Sequence, residues 1–241
     1  ESTSFGLVWE FADNFDVSVD YWQLDTKKLI SQIDQDEILY TQAKLNAAGG
    51  GDVGNVYPGS SVSFLGNGRI DNVVAPTSNI GITEREGIDI SFSGQLETGV
   101  GDFGLSLNAS KFLTYKDSYL DSGSLVVSRD RTGDEGYPDL RINMTLDWQM
   151  DDHVVTYFTS SISAQETDVY TDSTETNFYE IESYFTQNIS YGYTTGWDST
   201  ISVGVNNFTN EEPKFDKFGG YNGSLYSPYG RTYYVSFSQS F

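Results

Sequence analysis

From Tyr233 to its end the chain alternates strictly, with Tyr233, Val235, Phe237, Gln239 and Phe241 on one side and Tyr234, Ser236, Ser238 and Ser240 on the other. A β-strand points successive side chains to opposite faces, so this segment reads as a strand with one apolar face and one polar face. Chain termini are usually polar and frayed. A terminal strand that closes on an aromatic residue therefore points to an element with an apolar surface to present.

The same period of two recurs upstream. Phe5, Leu7, Trp9 and Phe11 share a side, followed by Phe15, Val17, Val19 and Tyr21 against Asp16, Ser18 and Asp20. Ile88, Ile90, Phe92 and Leu96 oppose Asp89, Ser91, Ser93 and Gln95, and Phe103, Leu105, Leu107 and Ala109 oppose Gly104, Ser106 and Asn108. Ile142, Met144, Leu146, Trp148 and Met150 interleave with Arg141, Asn143, Thr145, Asp147 and Gln149. Val154, Phe158 and Ile162 are expected to carry the apolar face of the next strand. Ile181, Phe185, Ile189, Tyr191 and Tyr193 carry another, and Ile201, Val203 and Val205 the one after. This gives about nine strands and an all-β fold.

A soluble β-sandwich and a transmembrane barrel both alternate in this way. Only 37% of the residues are apolar, yet 15% are aromatic, with 17 Tyr, 15 Phe and 4 Trp. The polar sides are mainly Ser, Thr, Asn, Asp and Gly, which suit a crowded hydrated lumen more than a surface facing bulk water. That composition favours an antiparallel transmembrane β-barrel. No apolar run approaches the ~18 residues of a transmembrane helix. There is no cysteine, so disulfides and thiolate chemistry are excluded. A net charge of -22, with 13 Lys and Arg, argues against nucleic acid as a partner. No basic and apolar leader precedes Glu1, so a mature or cut polypeptide is expected.

Connections alternate between short (12–14, 97–102, 151–153, 194–198) and long (26–80, 116–138, 165–178, 209–230). Barrels of outer membranes place short turns on one side and long loops on the other. With Phe241 on the short-turn side, counting back nine strands puts Glu1 on the long-loop side. An odd number of antiparallel strands leaves an open edge, so residues 1–241 are expected to be part of a larger barrel. In the first long link, Asp36 to Ala48 fits a helix stopped by Gly49-Gly50-Gly51, and Ser63 to Ile70 fits a hairpin turning at Asn67-Gly68.

Three segments, in order, resemble the C-terminal barrel half of TonB-dependent outer-membrane receptors. Asn79-Ile-Gly-Ile-Thr-Glu-Arg-Glu-Gly-Ile-Asp-Ile90 is similar to the family's entry into a downward strand. Val203-Gly-Val-Asn-Asn-Phe-Thr-Asn-Glu-Glu-Pro213 resembles its Gly-Val-Asn-Asn-Leu-Phe segment, with Phe208 in place of Leu-Phe and one Pro213 in place of two prolines. Tyr229-Gly-Arg-Thr-Tyr-Tyr-Val-Ser-Phe237 resembles its closing strand. The resemblance implies a 22-stranded barrel of which this chain supplies about nine C-terminal strands, with the plug domain and N-terminal strands elsewhere. It further implies the bacterial outer membrane, loops toward the cell exterior, and active uptake of a nutrient. The implied partners are the rest of the barrel and its plug, a TonB-type energising protein, membrane lipid and the barrel-assembly machinery. Tyr233, Val235, Phe237 and Phe241 would form the assembly signal. Trp148, Tyr157, Tyr191, Tyr193, Trp197 and Tyr233 would form aromatic girdles at the membrane interfaces.

No catalytic constellation is present, and neither a cofactor nor a metal is expected. The single histidine, His153, is expected in a short turn as a solvated residue. Carboxylates at 34–37 and 211–216 offer oxygen ligands, but their spacing matches no calcium loop. Tyr221, Asn222, Tyr226 and Tyr229, in the Tyr- and Gly-rich last loop, are the candidates for ligand contact. A passive porin-like channel and a secreted β-domain that adheres to carbohydrate are the alternative functions. Among receptors of this kind, iron chelates, cobalamin, oligosaccharides and peptides are all substrates, and the residues do not choose between them.

Overall fold

A computed structural model describes residues 1–121, 124–127, 130–170, 176–216 and 219–239. In chain order its elements are β1 (Ser2–Ala12), β2 (Phe15–Gln32), α1 (Gln35–Ala47), a 3-10 turn (Val53–Asn55), β3 (Ser61–Phe64), β4 (Ile70–Val74), β5 (Thr77–Thr98), β6 (Gly101–Asp121), β7 (Ser124–Val127), β8 (Leu140–Met150), β9 (His153–Ile162), β10 (Gln165–Tyr170), β11 (Thr176–Ile181), β12 (Tyr184–Thr194), β13 (Ser199–Asn206) and β14 (Thr232–Gln239).

Nine strands follow one another in a single antiparallel sheet, in the order β1-β2-β5-β6-β8-β9-β12-β13-β14, with β7 paired to β6. The expected nine strands are therefore present, and the sheet does not close on itself. Three strands run further than the sequence alternation implied. β2, β5 and β6 contain 18, 22 and 21 residues, against roughly 9–11 needed to cross a bilayer. Backbone pairing continues where side-chain alternation fades, because an antiparallel ladder needs no apolar face beyond the hydrocarbon region. The first long connection accordingly shrinks from the expected 26–80 to the residues between Gln32 and Thr77.

The chain divides into two compact units. The first comprises Glu1–Ser2, Gln23–Arg85 and Thr114–Arg131. It has its own small core, Ile33, Ile38, Val53 and Tyr57, against which Leu45, Val62 and Val73 pack. Asp34 caps α1 by accepting a hydrogen bond from the Asp36 N–H (2.7 Å), and Asp36 and Glu37 place negative charge in the first turn. Gln42 joins the helix to the following loop: its amide donates to the Gly51 carbonyl (2.8 Å) and accepts from the Val53 N–H (3.0 Å). The expected hairpin is β3–β4, turning through Gly68 at φ 80°.

The second unit comprises Thr3–Trp22, Glu86–Leu113 and Thr132–Phe241. Its register aligns side chains into rows that cross six strands. Phe103, Trp148, Val155, Tyr191, Val203 and Val235 form one row, and Leu105, Leu146, Tyr157, Ile189, Val205 and Tyr233 the next. On the opposite face Gly104, Asp147, Thr156, Ser190, Gly204 and Tyr234 align. Across these six strands the sheet thus has an apolar face and a polar face.

This register corrects the reading of β9. Val154, Phe158 and Ile162 pair with Gln149, Thr145 and Arg141, which puts them on the polar face. Val155 and Tyr157 hold the apolar side instead. Apolar residues occur in adjacent pairs here (Val154-Val155, Tyr157-Phe158), so alternation alone does not select a face, and the neighbouring strands do.

Candidate functional site

The long connections of the second unit are built on short polar locks. β13 ends at Asn206, and Asn207 adopts the left-handed region at φ 49°, which asparagine tolerates better than most residues. Its carboxamide donates to the Glu211 carbonyl and accepts from the Glu211 N–H, both at 2.8 Å, while its own N–H donates to Asn188 Oδ1 (2.7 Å). Asn210 (φ 60°) then accepts the Arg231 N–H through Oδ1 at 2.9 Å. A Cβ at residue 230 would fall 2.6 Å from that same oxygen, so a side chain there would push Asn210 out of this position. The connection between β13 and β14 is therefore pinned at its base from both ends.

Two neighbouring connections are fastened to it. The Glu166 N–H donates to the Gly133 carbonyl (2.8 Å) and the Glu135 N–H to the Glu166 carbonyl (2.9 Å), holding the approach to β8 alongside the start of β10. Gln165 is 1% exposed. It accepts from the Gly136 N–H (2.7 Å) and donates to the Tyr226 hydroxyl (2.5 Å), so one buried amide ties three connections together. Tyr226 packs edge-on against Tyr184 with ring centroids 5.2 Å apart, in a cluster with Ile162 and Ile181. Lys214 pairs with Glu211 (2.7 Å) and Glu182 (3.4 Å). The hydrogen bond to Glu211 does most to raise the Lys214 pKa, against a smaller opposing effect of burial.

The four ligand-contact candidates fall into different environments. Tyr226 is 3% exposed, and burial raises its phenol pKa despite the bond to Gln165. Asn222 turns the chain, accepting the Ser224 N–H at Oδ1 (2.9 Å) and the Leu225 and Tyr226 N–H groups at its carbonyl (3.0 Å each). Tyr221 and Tyr229 are the exposed pair, and Tyr221 stands edge-on to Phe215 at 5.6 Å. Tyr221 and Phe215 thus offer aromatic surface to solvent, while Tyr226 and Asn222 hold the loop in shape. Gln165 and Tyr184 carry no motif, and nothing local in the sequence marks either as a keystone.

Of the proposed assembly residues, Tyr233, Val235 and Phe237 line the exposed apolar face of β14, and Phe241 lies outside the described residues. His153 is not in the turn. It opens β9 on the apolar face, where Nδ1 lies 2.7 Å from the Tyr191 hydroxyl and the ring packs against Tyr191 and Tyr193. The turn proper is Asp151-Asp152, with Asp151 supplying φ 51°. Trp148 donates its indole N–H to the Val100 carbonyl (2.9 Å) close by. These aromatics and His153 gather near the short turns, whereas Tyr157 and Tyr233 lie in the row further toward the long connections.

Four of the carboxylates weighed as metal ligands, Asp34, Glu37, Glu211 and Asp216, are engaged within the protein. Asp34 caps α1, and Glu37 accepts from Tyr57 (2.5 Å) and Thr41 (2.9 Å). Glu211 pairs with Lys214, and Asp216 accepts the Gly220 N–H. Among the described residues no group of three or more His, Asp and Glu could hold a metal ion. Among the described residues no helix is long and apolar enough to cross a membrane, which leaves the strands to be considered.

Comparison with known proteins agrees with this geometry. Residues 1–208 match the family model for the TonB dependent receptor-like β-barrel. All of the chain superposes on the outer-membrane transporter YddB of Escherichia coli, with a TM-score of 0.64, 14% identity and 32% of that structure covered. The ferric enterobactin receptor PfeA of Pseudomonas aeruginosa (as its G324V mutant) gives 0.62 at 17% identity, again over all of this chain and 31% of that one. The siderophore receptor PirA of Acinetobacter baumannii gives 0.60 at 18% identity, with the same coverage. The chain spans about a third of the length of these structures. No curated protein matches it. A two-faced antiparallel sheet, long connections on one side only and a family match over most of the sequence agree: this chain belongs to the TonB-dependent receptor β-barrel family, and its open sheet is part of a transmembrane barrel.

Proposed function

We propose that residues 1–241 form the C-terminal part of the barrel of an outer-membrane receptor that captures a scarce nutrient and imports it actively. The long connections face the cell exterior, and those locked by Gln165 and Asn207 form the rim that first meets the ligand. Tyr221, Phe215 and Tyr229 supply its exposed aromatic surface. Ligand is held by many loop contacts with no covalent step. A plug domain, drawn from the other side by a TonB-type protein, opens the path, and the barrel-assembly machinery recognises the apolar face of β14 together with Phe241.

The observation that carries this reading is the two-faced sheet of spanning strands topped on one side by interlocked connections, within a family of TonB-dependent receptors. Two of the similar structures are siderophore receptors, which makes chelated iron the first ligand class to try. The alternative of a passive channel is separated by conductance. The parent polypeptide, reconstituted in a planar bilayer, is expected to stay closed. A steady open conductance without any energising partner would replace the receptor reading with a porin-like one.

A further inference from the structure

The apolar face is not evenly smooth. Across β12, β13 and β14 one row reads Tyr191, Val203, Val235 and the next Ile189, Val205, Tyr233. The central strand carries two valines, and a tyrosine rises on each flanking strand at opposite corners. The result is an open groove of about 450 Å³ floored by Val203 and Val205 and walled by Tyr191 and Tyr233, with Val155 and Ile189 at one margin.

What covers the groove follows from where it sits. Val155 and Ile189 continue into the apolar rows of β9, β8 and β6, so the groove belongs to the same face that a transmembrane barrel turns to lipid. In hydrocarbon no water is expelled on contact, so a chain is retained by close packing, through many individually weak atom–atom contacts. A smooth face offers such contacts on one side of a chain only. A valine floor between tyrosine walls offers them on three.

We propose that this groove is a fixed seat for one lipid acyl chain, lying along β13 between Tyr191 and Tyr233. The seat lies on the outer face of the barrel and does not depend on which nutrient the receptor takes.

A matched control lies in the same sheet. Leu146 lies on the same apolar face and is 41% exposed against 44% for Val203; because barrel strands tilt, a shared row is not a shared depth, so each residue is compared at the probe position that labels it best. The parent receptor is reconstituted in vesicles of phosphatidylethanolamine and phosphatidylglycerol containing, in parallel samples, phosphatidylcholines with the diazirine at different points along the acyl chain. After irradiation, adducts are mapped by mass spectrometry. The seat predicts adducts on Val203 and Val205 several-fold above those on Leu146. Val203→Trp, or Val205→Phe if the first variant fails to fold, should fill the floor and bring the remaining groove adducts down to the Leu146 level. Adducts spread in proportion to exposure would overturn the proposal, as would an excess that survives both variants. Protection of the groove by a second copy, seen as efficient receptor–receptor cross-linking from Val203→Cys, would overturn it too.

Discussion

The ring of Tyr234 lies across Gly204, its register partner on the adjacent strand, so closely that a Cβ at residue 204 would fall 2.5 Å from Tyr234 Cε1 and Oη. The glycine and the tyrosine belong to two separate sequence segments that resemble the family, and this contact is one of several that join them, beside the β13–β14 ladder and the Asn210–Arg231 hydrogen bond. A glycine in a strand has no side chain to pack, and an aromatic neighbour laid over it restores the cover. Gly204→Ala should therefore displace the ring and destabilise the barrel by about 1–3 kcal/mol, the usual range for overpacking. Tyr234→Phe should be nearly neutral because it keeps the ring. The temperature at which the folded parent protein shifts mobility on a detergent gel measures both. Equal mobility of Gly204→Ala and wild type at all temperatures would remove the contact's structural role.

Tyr157 and Phe158 are adjacent in sequence and opposite in the sheet. Tyr157 aligns with Leu146 and Ile189 on the apolar face, and Phe158 with Thr145 and Asn188 on the polar face. An arginine on the lipid side near mid-bilayer costs ~2–4 kcal/mol, whereas one toward a hydrated interior costs far less. Tyr157→Arg should therefore reduce the yield and thermal resistance of the folded barrel strongly, and Phe158→Arg only slightly. The reverse order in the same gel assay would mean that β9 sits one residue out of the register described.

The strand pattern was legible where each strand kept one apolar parity. Ile142 to Met150 and Tyr233 to Phe237 fall on the faces their alternation indicates. It misled at β9, where both parities hold apolar residues and only pairing with β8 and β12 decides. The helix and the Asn67-Gly68 hairpin were readable because caps and turns are local chemistry. The loop platform was not. Tyr226 reads as an exposed binding residue in a Tyr- and Gly-rich stretch, but it is buried against Tyr184, Ile162 and Ile181 and accepts from Gln165, 61 residues away. Such long-range polar pairing leaves no periodic trace in one sequence.

Gln165 should govern the order of three connections at once. Gln165→Leu leaves the Gly136 N–H and the Tyr226 hydroxyl without this partner, and an unsatisfied buried polar group costs about 1–3 kcal/mol. Hydrogen exchange of the parent receptor is expected to rise together in peptides covering 133–139, 163–167 and 222–229. Adding Tyr226→Phe to Gln165→Leu removes one orphaned group and should recover part of the protection, a coupling that a double-mutant cycle reads directly. A rise confined to 163–167 would show that the three connections move independently.

Asp139 sits just before β8, where it contacts the Lys111 ammonium and accepts a hydrogen bond from Ser163 Oγ at 2.6 Å. Burial alone would raise its pKa, but Lys111 and Ser163 outweigh that and hold it below the ordinary value. A carboxylate whose pKa is lower in the folded state stabilises the fold above its unfolded value of about 3.9, and that contribution is lost as pH falls through the folded value. The stability gap between wild type and Asp139→Asn should thus be constant near neutrality and shrink below about pH 4. Other carboxylates titrate in the same window, so the quantity to follow is the difference between the two proteins. A gap that stays constant down to pH 3 would mean that the Lys111 contact contributes nothing through the charge of Asp139.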